Sequence, residues 1–97
     1  MTTDWEPDRP LYGISVAGEL TGVNPQMLRV YENRGLLEPQ RTEGGTRRYS
    51  GADIHRINQI TTLLASGLNL AGVEQVLVLE AEAVRLRDQI EELRRDQ

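Results

Sequence analysis

A short polar helix followed by a basic hairpin, over residues 24–49, constrains the fold of this chain more than any other segment. Asn24 is a favourable N-cap, and Pro25 suits the first position of a helix. We expect this helix to end at Gly35. The Gly44-Gly45 pair then predicts a tight turn between two short strands. The strands contain few β-branched residues, so their pairing depends on that turn.

A first helix is predicted to precede this segment, with Ser15 as its N-cap. Residues 21–23 form a three-residue turn with a central glycine, and that turn leads to the Asn24 cap. Two short helices joined in this way define a helix-turn-helix. The apolar face of the first helix is expected to consist of Val16, Ala17 and Leu20.

Two further helices follow the hairpin. Ser50 and Asp53 occupy the places of a capping box at the start of the third helix, and Gly67 ends it. Asn69 caps a fourth helix, which meets neither glycine nor proline after Gly72. The main core is expected to consist of apolar residues at helical spacing in the third helix: Ile54, Ile57, Ile60, Leu63 and Leu64.

The end of the chain shows a heptad pattern. Its two interleaved apolar sets are Val76, Ala83 and Ile90, and Leu79, Leu86 and Leu93. Polar and charged residues flank both sets, which favours a coiled coil between two copies over a helix folded back on its own core. We therefore predict a flexible arm over residues 1–10, a DNA-binding domain over 11–75 and a dimerisation helix over 76–97. The predicted fold class is mainly α, a winged helix-turn-helix with a small β-hairpin wing.

Charge distribution supports nucleic-acid binding although the net charge is −4. Residues 29–56 carry six arginines against four acids, whereas the segments on either side are acidic. The sequence has no Cys and one His, so no metal site and no cofactor are expected. No nucleophile–base pair or phosphate loop indicates an enzyme. No membrane span or signal peptide is recognisable, and a cytoplasmic protein is expected.

The motifs resemble those of the MerR family of transcriptional regulators. They are Thr21-Gly22-Val23-Asn24-Pro25, Leu28-Arg29-Val30-Tyr31-Glu32, Gly35-Leu36-Leu37 and Gly44-Gly45-Thr46-Arg47-Arg48-Tyr49-Ser50, with Asp53 in place. The resemblance implies a dimer, with the terminal helices antiparallel, that binds double-stranded DNA at an inverted repeat. Many members have tyrosine where this chain has Val30 and Thr46, which puts the family's usual operator sequence in question.

Residues 67–73, followed directly by a Leu- and Glu-rich helix, resemble the heat-shock repressor (HspR-like) branch. This narrower resemblance implies a repressor of chaperone genes with the DnaK chaperone as partner. The free surfaces for such a partner would be Asp4–Glu6 and the helix end after Leu93. Metal-sensing members of the family use Cys, and this sequence has none. Drug-sensing members carry a large C-terminal domain, whereas this sequence ends at Gln97. No small-molecule effector is therefore expected.

The predicted DNA-binding surface combines the second helix and the hairpin. In base recognition Gln26 suits adenine, Arg29 suits guanine and Val30 suits a thymine methyl group. Tyr31 and Tyr49 have two compatible interpretations, as phosphate contacts through their hydroxyls or as packing residues. The full set is Asn24, Gln26, Arg29, Val30, Tyr31, Arg34, Arg41, Arg47, Arg48 and Tyr49.

Three other functions are compatible with parts of the sequence. A MerR-type activator that distorts a promoter spacer would use the same fold as a repressor. An excisionase-like architectural protein would share the winged helix but usually lacks a long dimerisation helix. A coiled-coil adaptor would leave Arg47 and Arg48 without a role.

Overall fold

The computed structural model describes residues 7–97 as a mainly helical chain with one small hairpin. The elements in order are α1 (Ile14–Thr21), α2 (Pro25–Asn33), β1 (Gln40–Arg41), β2 (Arg47–Arg48), α3 (Gly51–Ala65) and α4 (Leu70–Arg95). This confirms the predicted architecture. Most of the predicted arm, including the docking surface at Asp4–Glu6, lies outside the described residues. The carbonyl of Pro7 accepts a hydrogen bond from the Ala52 backbone N–H at 2.8 Å.

The chain divides into two compact units, one ending at Thr62 and the other spanning Leu63–Gln97. The predicted division between residues 75 and 76 falls inside α4, which runs through it without a break. As a functional boundary it stays a prediction.

The apolar face predicted for α1 is wrong. Gly13, not Ser15, occupies the N-cap, and Val16 and Leu20 are 44% and 54% exposed. The helix buries Ala17 completely. Because the helix begins at Ile14, its inward face follows the helical spacing from that residue instead. The partly or fully buried residues of this face are Ile14, Ala17, Gly18 and Thr21.

The turn between α1 and α2 depends on two glycines. Gly22 caps the end of α1 with φ 76°, a left-handed conformation that glycine adopts without steric strain. A Cβ on Gly18 would lie 2.9 Å from the carbonyl oxygen of Val23, so only glycine fits this close approach. Asn24 then caps α2 as predicted: its Oδ1 accepts the Met27 backbone N–H at 2.8 Å.

The capping box predicted for α3 is present. The backbone N–H of Ser50 donates to Asp53 Oδ2 at 2.9 Å, and the backbone N–H of Asp53 donates to Ser50 Oγ at 3.0 Å. Of the predicted core residues, Ile57 and Ile60 are fully buried. Ile54, Leu63 and Leu64 are only half-buried. The other large buried residues of the unit that ends at Thr62 are Leu28 and Tyr31 on α2, Leu36 and Leu37 after it, and Tyr49 after β2.

Helix α4 begins at the predicted cap, where Asn69 Oδ1 accepts the Gly72 backbone N–H at 2.8 Å. Val73 and Leu77 are buried. Beyond them an apolar surface stays uncovered in the single chain, although large apolar side chains favour burial. The exposed members of the heptad pattern are Leu79, Leu86, Ile90 and Leu93.

Candidate nucleic-acid interface

Helix α2 presents a polar face to the solvent. Gln26, Arg29 and Arg34 are exposed and Val30 is half-buried, while Leu28 on the opposite side is fully buried. The unpaired backbone N–H groups at the start of a helix and its dipole favour an anion there. This face therefore combines hydrogen-bonding side chains with a favourable site for phosphate.

The wing, residues 40–48, is an antiparallel hairpin in which Gln40 pairs with Arg48 and Arg41 with Arg47. Its turn is closed by the Thr42 N–H, which donates to the Thr46 carbonyl at 2.8 Å. Gly45 takes φ 88°, which explains why a glycine stands at this position. The predicted Gly-Gly turn is thus confirmed.

Glu32 on α2 joins the helix to both strands of the wing. Its Oε1 accepts a hydrogen bond from Arg47 Nε at 2.6 Å, and its Oε2 accepts one from Arg41 Nη2 at 2.7 Å. Arg41 Nη1 also donates to the Gly45 carbonyl at 3.0 Å, within the wing turn. Two of the predicted DNA-binding arginines are therefore held together by one carboxylate.

These contacts change the acidity of Glu32. Burial alone would raise the pKa of its carboxyl. The hydrogen bonds and positive charges of Arg47 and Arg41 outweigh that effect, so the pKa lies below its ordinary value. Glu32 is thus ionised at neutral pH and pairs with both arginines.

Arg48 lies beside the first turn of α1. A Cβ on Gly13 would lie 3.0 Å from Arg48 Nη1, so the small residue at the N-cap of α1 leaves room for this guanidinium. The structure in this way brings the end of the wing next to the helix-turn-helix.

Tyr31 and Tyr49 lie beneath the surface, with 2% and 0% of their areas exposed. Burial raises the pKa of both hydroxyls, and the Tyr31 hydroxyl shares a hydrogen bond with Thr61. Among residues 7–97 the Tyr49 hydroxyl finds no partner. This placement matches the packing interpretation, and a phosphate contact through either hydroxyl stays a prediction.

Sequence reasoning missed Glu32 and Arg56. Arg56 Nε donates to the Leu36 carbonyl at 3.2 Å and fastens α3 to the loop after α2. It also lines a shallow depression of about 430 Å³ with Asp53 and residues 35–38. Hairpin pairing around Gly44-Gly45 sets Arg41 and Arg47 opposite each other, and such a like-charge pair is destabilising unless an acid lies nearby. The sequence did not indicate which acid that would be.

Comparison with known sequences decides the family. The profile described as MerR HTH family regulatory protein matches residues 12–79. The chain belongs to the MerR family. A relative from Streptomyces coelicolor, named as a candidate heat shock protein, HspR, is 44% identical over 87 residues, covering 89% of this chain and 58% of its own. The regulator GlnR of Bacillus cereus is 36% identical over 87 residues, covering 87% of this chain and 67% of its own.

Solved structures of MerR regulators share the fold. MtaN, described as the N-terminus of a Bacillus subtilis multidrug transporter activator, has a TM-score of 0.65 and 27% identity, covering 87% of this chain and 95% of MtaN. HiNmlR, described as a MerR regulator lacking the sensor domain and bound to promoter DNA, has a TM-score of 0.62 and 25% identity. That match covers 87% of this chain and 76% of HiNmlR.

Membership of this family makes the chain a helix-turn-helix regulator that binds double-stranded DNA, and the relatives are named as regulators of transcription rather than enzymes. Within residues 7–97, no helix is both long and apolar enough to cross a bilayer. No cluster of three metal-ligating side chains occurs in that same part of the chain. The chain spans little more than half the length of its Streptomyces relative.

Proposed function

We propose that this MerR-family chain is a homodimeric repressor of heat-shock genes that binds an inverted repeat. The observation that carries the proposal is the 44% identity to HspR of Streptomyces coelicolor over 87 residues. It is supported by the exposed apolar surface of α4, which a second copy could cover. The heat-shock assignment and the dimer are separate claims, and each has its own test.

The dimer would be built on α4. Leu86 and Ile90 are 44% and 49% exposed, and Leu79 and Leu93 are 63% and 62% exposed. Val76 and Ala83, which complete the two heptad sets, are half-buried. Two such helices packed along these residues would remove the whole stripe from water, which is the usual driving force for a coiled coil. The resemblance to the family implies an antiparallel pairing.

Base recognition would fall to α2. Gln26 and Arg29 stand exposed on its face, and their side chains suit adenine and guanine edges in the major groove. Val30 adds an apolar contact for a thymine methyl, and Arg34 lies at the C-terminal end of the same helix. Asn24 contributes through its cap, which fixes the start of α2 where a phosphate would bind.

The wing would contact the sugar-phosphate backbone. Arg41 is exposed and Arg47 and Arg48 are half-buried, so all three residues keep some solvent-accessible surface. Such contacts release counterions and supply affinity without sequence preference. Tyr31 and Tyr49 would support the interface from below, since both are buried.

A genome-wide map of DNA bound by the full chain in cells tests the repressor assignment. The proposal predicts occupancy at promoters of chaperone operons, with loss of occupancy in an Arg29→Ala variant and increased transcription of those operons in a deletion strain. Occupancy confined to promoters unrelated to stress would contradict the heat-shock assignment but not DNA binding.

The resemblance to heat-shock repressors also leads us to propose DnaK as a partner. Footprinting the purified chain with and without DnaK tests it: the protected region is expected to stay the same while less protein is needed. If adding DnaK leaves the titration unchanged, DnaK does not regulate DNA binding by this chain, and the repressor proposal still stands.

A promoter activator is the second candidate, favoured by the similarity to MtaN, which is described as an activator. An activator of this kind would act on a promoter whose spacer is too long, so the DNA would be distorted. Transcription in vitro from a bound promoter separates the two functions: added protein lowers the transcript level if it is a repressor and raises it if it is an activator.

A further inference from the structure

The carboxylate of Glu32 offsets the repulsion between two arginines of the wing. Arg41 and Arg47 face each other across the two strands, and like charges in that position destabilise a hairpin. Glu32 places one oxygen on each, at 2.7 and 2.6 Å, and its side chain is only 19% exposed. Since Glu32 belongs to α2, the same two ion pairs also fasten both strands of the wing to the helix that faces the bases.

We propose that Glu32 is a positioning residue for DNA recognition, which fixes the wing relative to α2 and reduces the affinity of Arg41 and Arg47 for random DNA. The inference rests on the proposed use of α2 and the wing as the DNA-binding surface. It assigns Glu32 no contact with DNA; the residue acts through the two arginines.

The first part of this role is geometric. A two-residue strand pair is too short to be rigid by itself. The Glu32 ion pairs hold Arg41 and Arg47 in one arrangement before DNA arrives, so less conformational freedom is lost when the correct site is bound. Specific binding therefore gains from Glu32.

The second part is electrostatic. Nonspecific affinity comes from counterions released when arginines neutralise phosphates. An arginine already paired with a carboxylate contributes less to that release, so random DNA is bound more weakly. Removing the carboxylate is expected to strengthen nonspecific binding while weakening the preference for the correct site, a combination that simple loss of folding does not produce.

The test compares Glu32→Gln with Glu43→Gln. Both variants lose one negative charge close to the wing arginines, but Glu43 is exposed at the wing turn and not on α2. Glu32→Asp is the second variant, since it keeps the charge and shortens the side chain. The wild-type full chain first selects a duplex from a random library. Affinities for the selected duplex and for a scrambled duplex are then measured at several salt concentrations.

Glu32→Gln is expected to lower the ratio of selected to scrambled affinity about tenfold and to steepen the salt slope on scrambled DNA by about one unit. Glu43→Gln should change that ratio less than about threefold, as expected for a charge change without repositioning. Glu32→Asp should lower the ratio but leave the slope at its wild-type value.

Equal ratios for Glu32→Gln and Glu43→Gln would overturn the inference. The inference would also be overturned if Glu32→Gln bound both duplexes more weakly by the same factor, with an unchanged salt slope, because that result indicates a purely structural role. If the wild-type chain selects no sequence at all, the proposed sequence-specific recognition is wrong. That outcome differs from equal ratios for the two variants, which would contradict only the role of Glu32.

Discussion

Tyr12 and Tyr49 are joined by a two-way backbone bridge: the Tyr49 N–H donates to the Tyr12 carbonyl at 2.6 Å and the Tyr12 N–H donates to the Tyr49 carbonyl at 2.9 Å. The bridge continues the wing towards the segment before α1 and so ties the helix-turn-helix to the hairpin. It also fixes the buried position of the Tyr49 ring.

Tyr49→Phe should leave the fold unchanged and raise the free energy of unfolding by up to about 1 kcal/mol, because a buried hydroxyl without a partner is costly. Tyr31→Phe is the control, since it loses the hydrogen bond with Thr61 and should lower that free energy by about 1 kcal/mol. Urea denaturation of both variants checks the contrast. Destabilisation by Tyr49→Phe would show that its hydroxyl is satisfied in solution.

Leu86→Glu should convert the dimer to a monomer, because it places a charge in the centre of the proposed seam between two α4 helices. Val78→Glu is the matched control. Val78 is 62% exposed on α4 but belongs to neither heptad set, so the Val78→Glu variant should remain a dimer. Sedimentation at micromolar concentration measures both. A monomeric wild type, or equal behaviour of the two variants, would contradict the seam.

Gln26→Ala should relax discrimination at one base pair of the operator by roughly 1–3 kcal/mol, with little change in salt dependence. Competition between single-base operator variants measures the effect. If all base pairs lose affinity equally, Gln26 does not contact a base.

Arg47→Ala should behave differently, weakening binding to every sequence and reducing the salt slope by about one unit. Titrations with operator and scrambled duplexes across a salt series provide the measurement. An unchanged slope would mean that the wing does not contact phosphate through Arg47.

The Glu32 ion pairs should contribute to stability at neutral pH and lose that contribution in acid. Because the pKa of Glu32 is lower in the folded chain, the contribution is present above the ordinary carboxyl pKa and disappears as pH falls through the folded value. The free energy of unfolding of the wild type should exceed that of Glu32→Gln by about 1 kcal/mol at pH 7 and should equal it at the acid end of the range. Urea denaturation across this pH range tests it, and a constant difference would contradict the pairing.

The sequence allowed prediction of the elements whose signals are local. The Asn24 and Asn69 caps, the Ser50–Asp53 box and the Gly-Gly turn each involve residues a few positions apart, and each lies where expected. The inward face of α1 was missed because its true start at Ile14 lacks a side-chain cap.

Long-range pairings gave no local signal. The Tyr12–Tyr49 bridge joins residues far apart in sequence, and neither lies in a periodic pattern. The sequence showed a concentration of arginines in the predicted interface, but the pairing of Arg41 and Arg47 with Glu32 depends on the angle between the wing and α2, which only the assembled fold defines.

Hydroxyl-radical footprinting of the full chain on a duplex selected by the wild type tests the central claim most directly, namely that two copies of α2 contact an inverted repeat. The account predicts two equivalent protected regions related by a two-fold axis, with half-sites about 34–36 Å apart or wider if the DNA bends. Protection of a single half-site, or an asymmetric pattern, would contradict it.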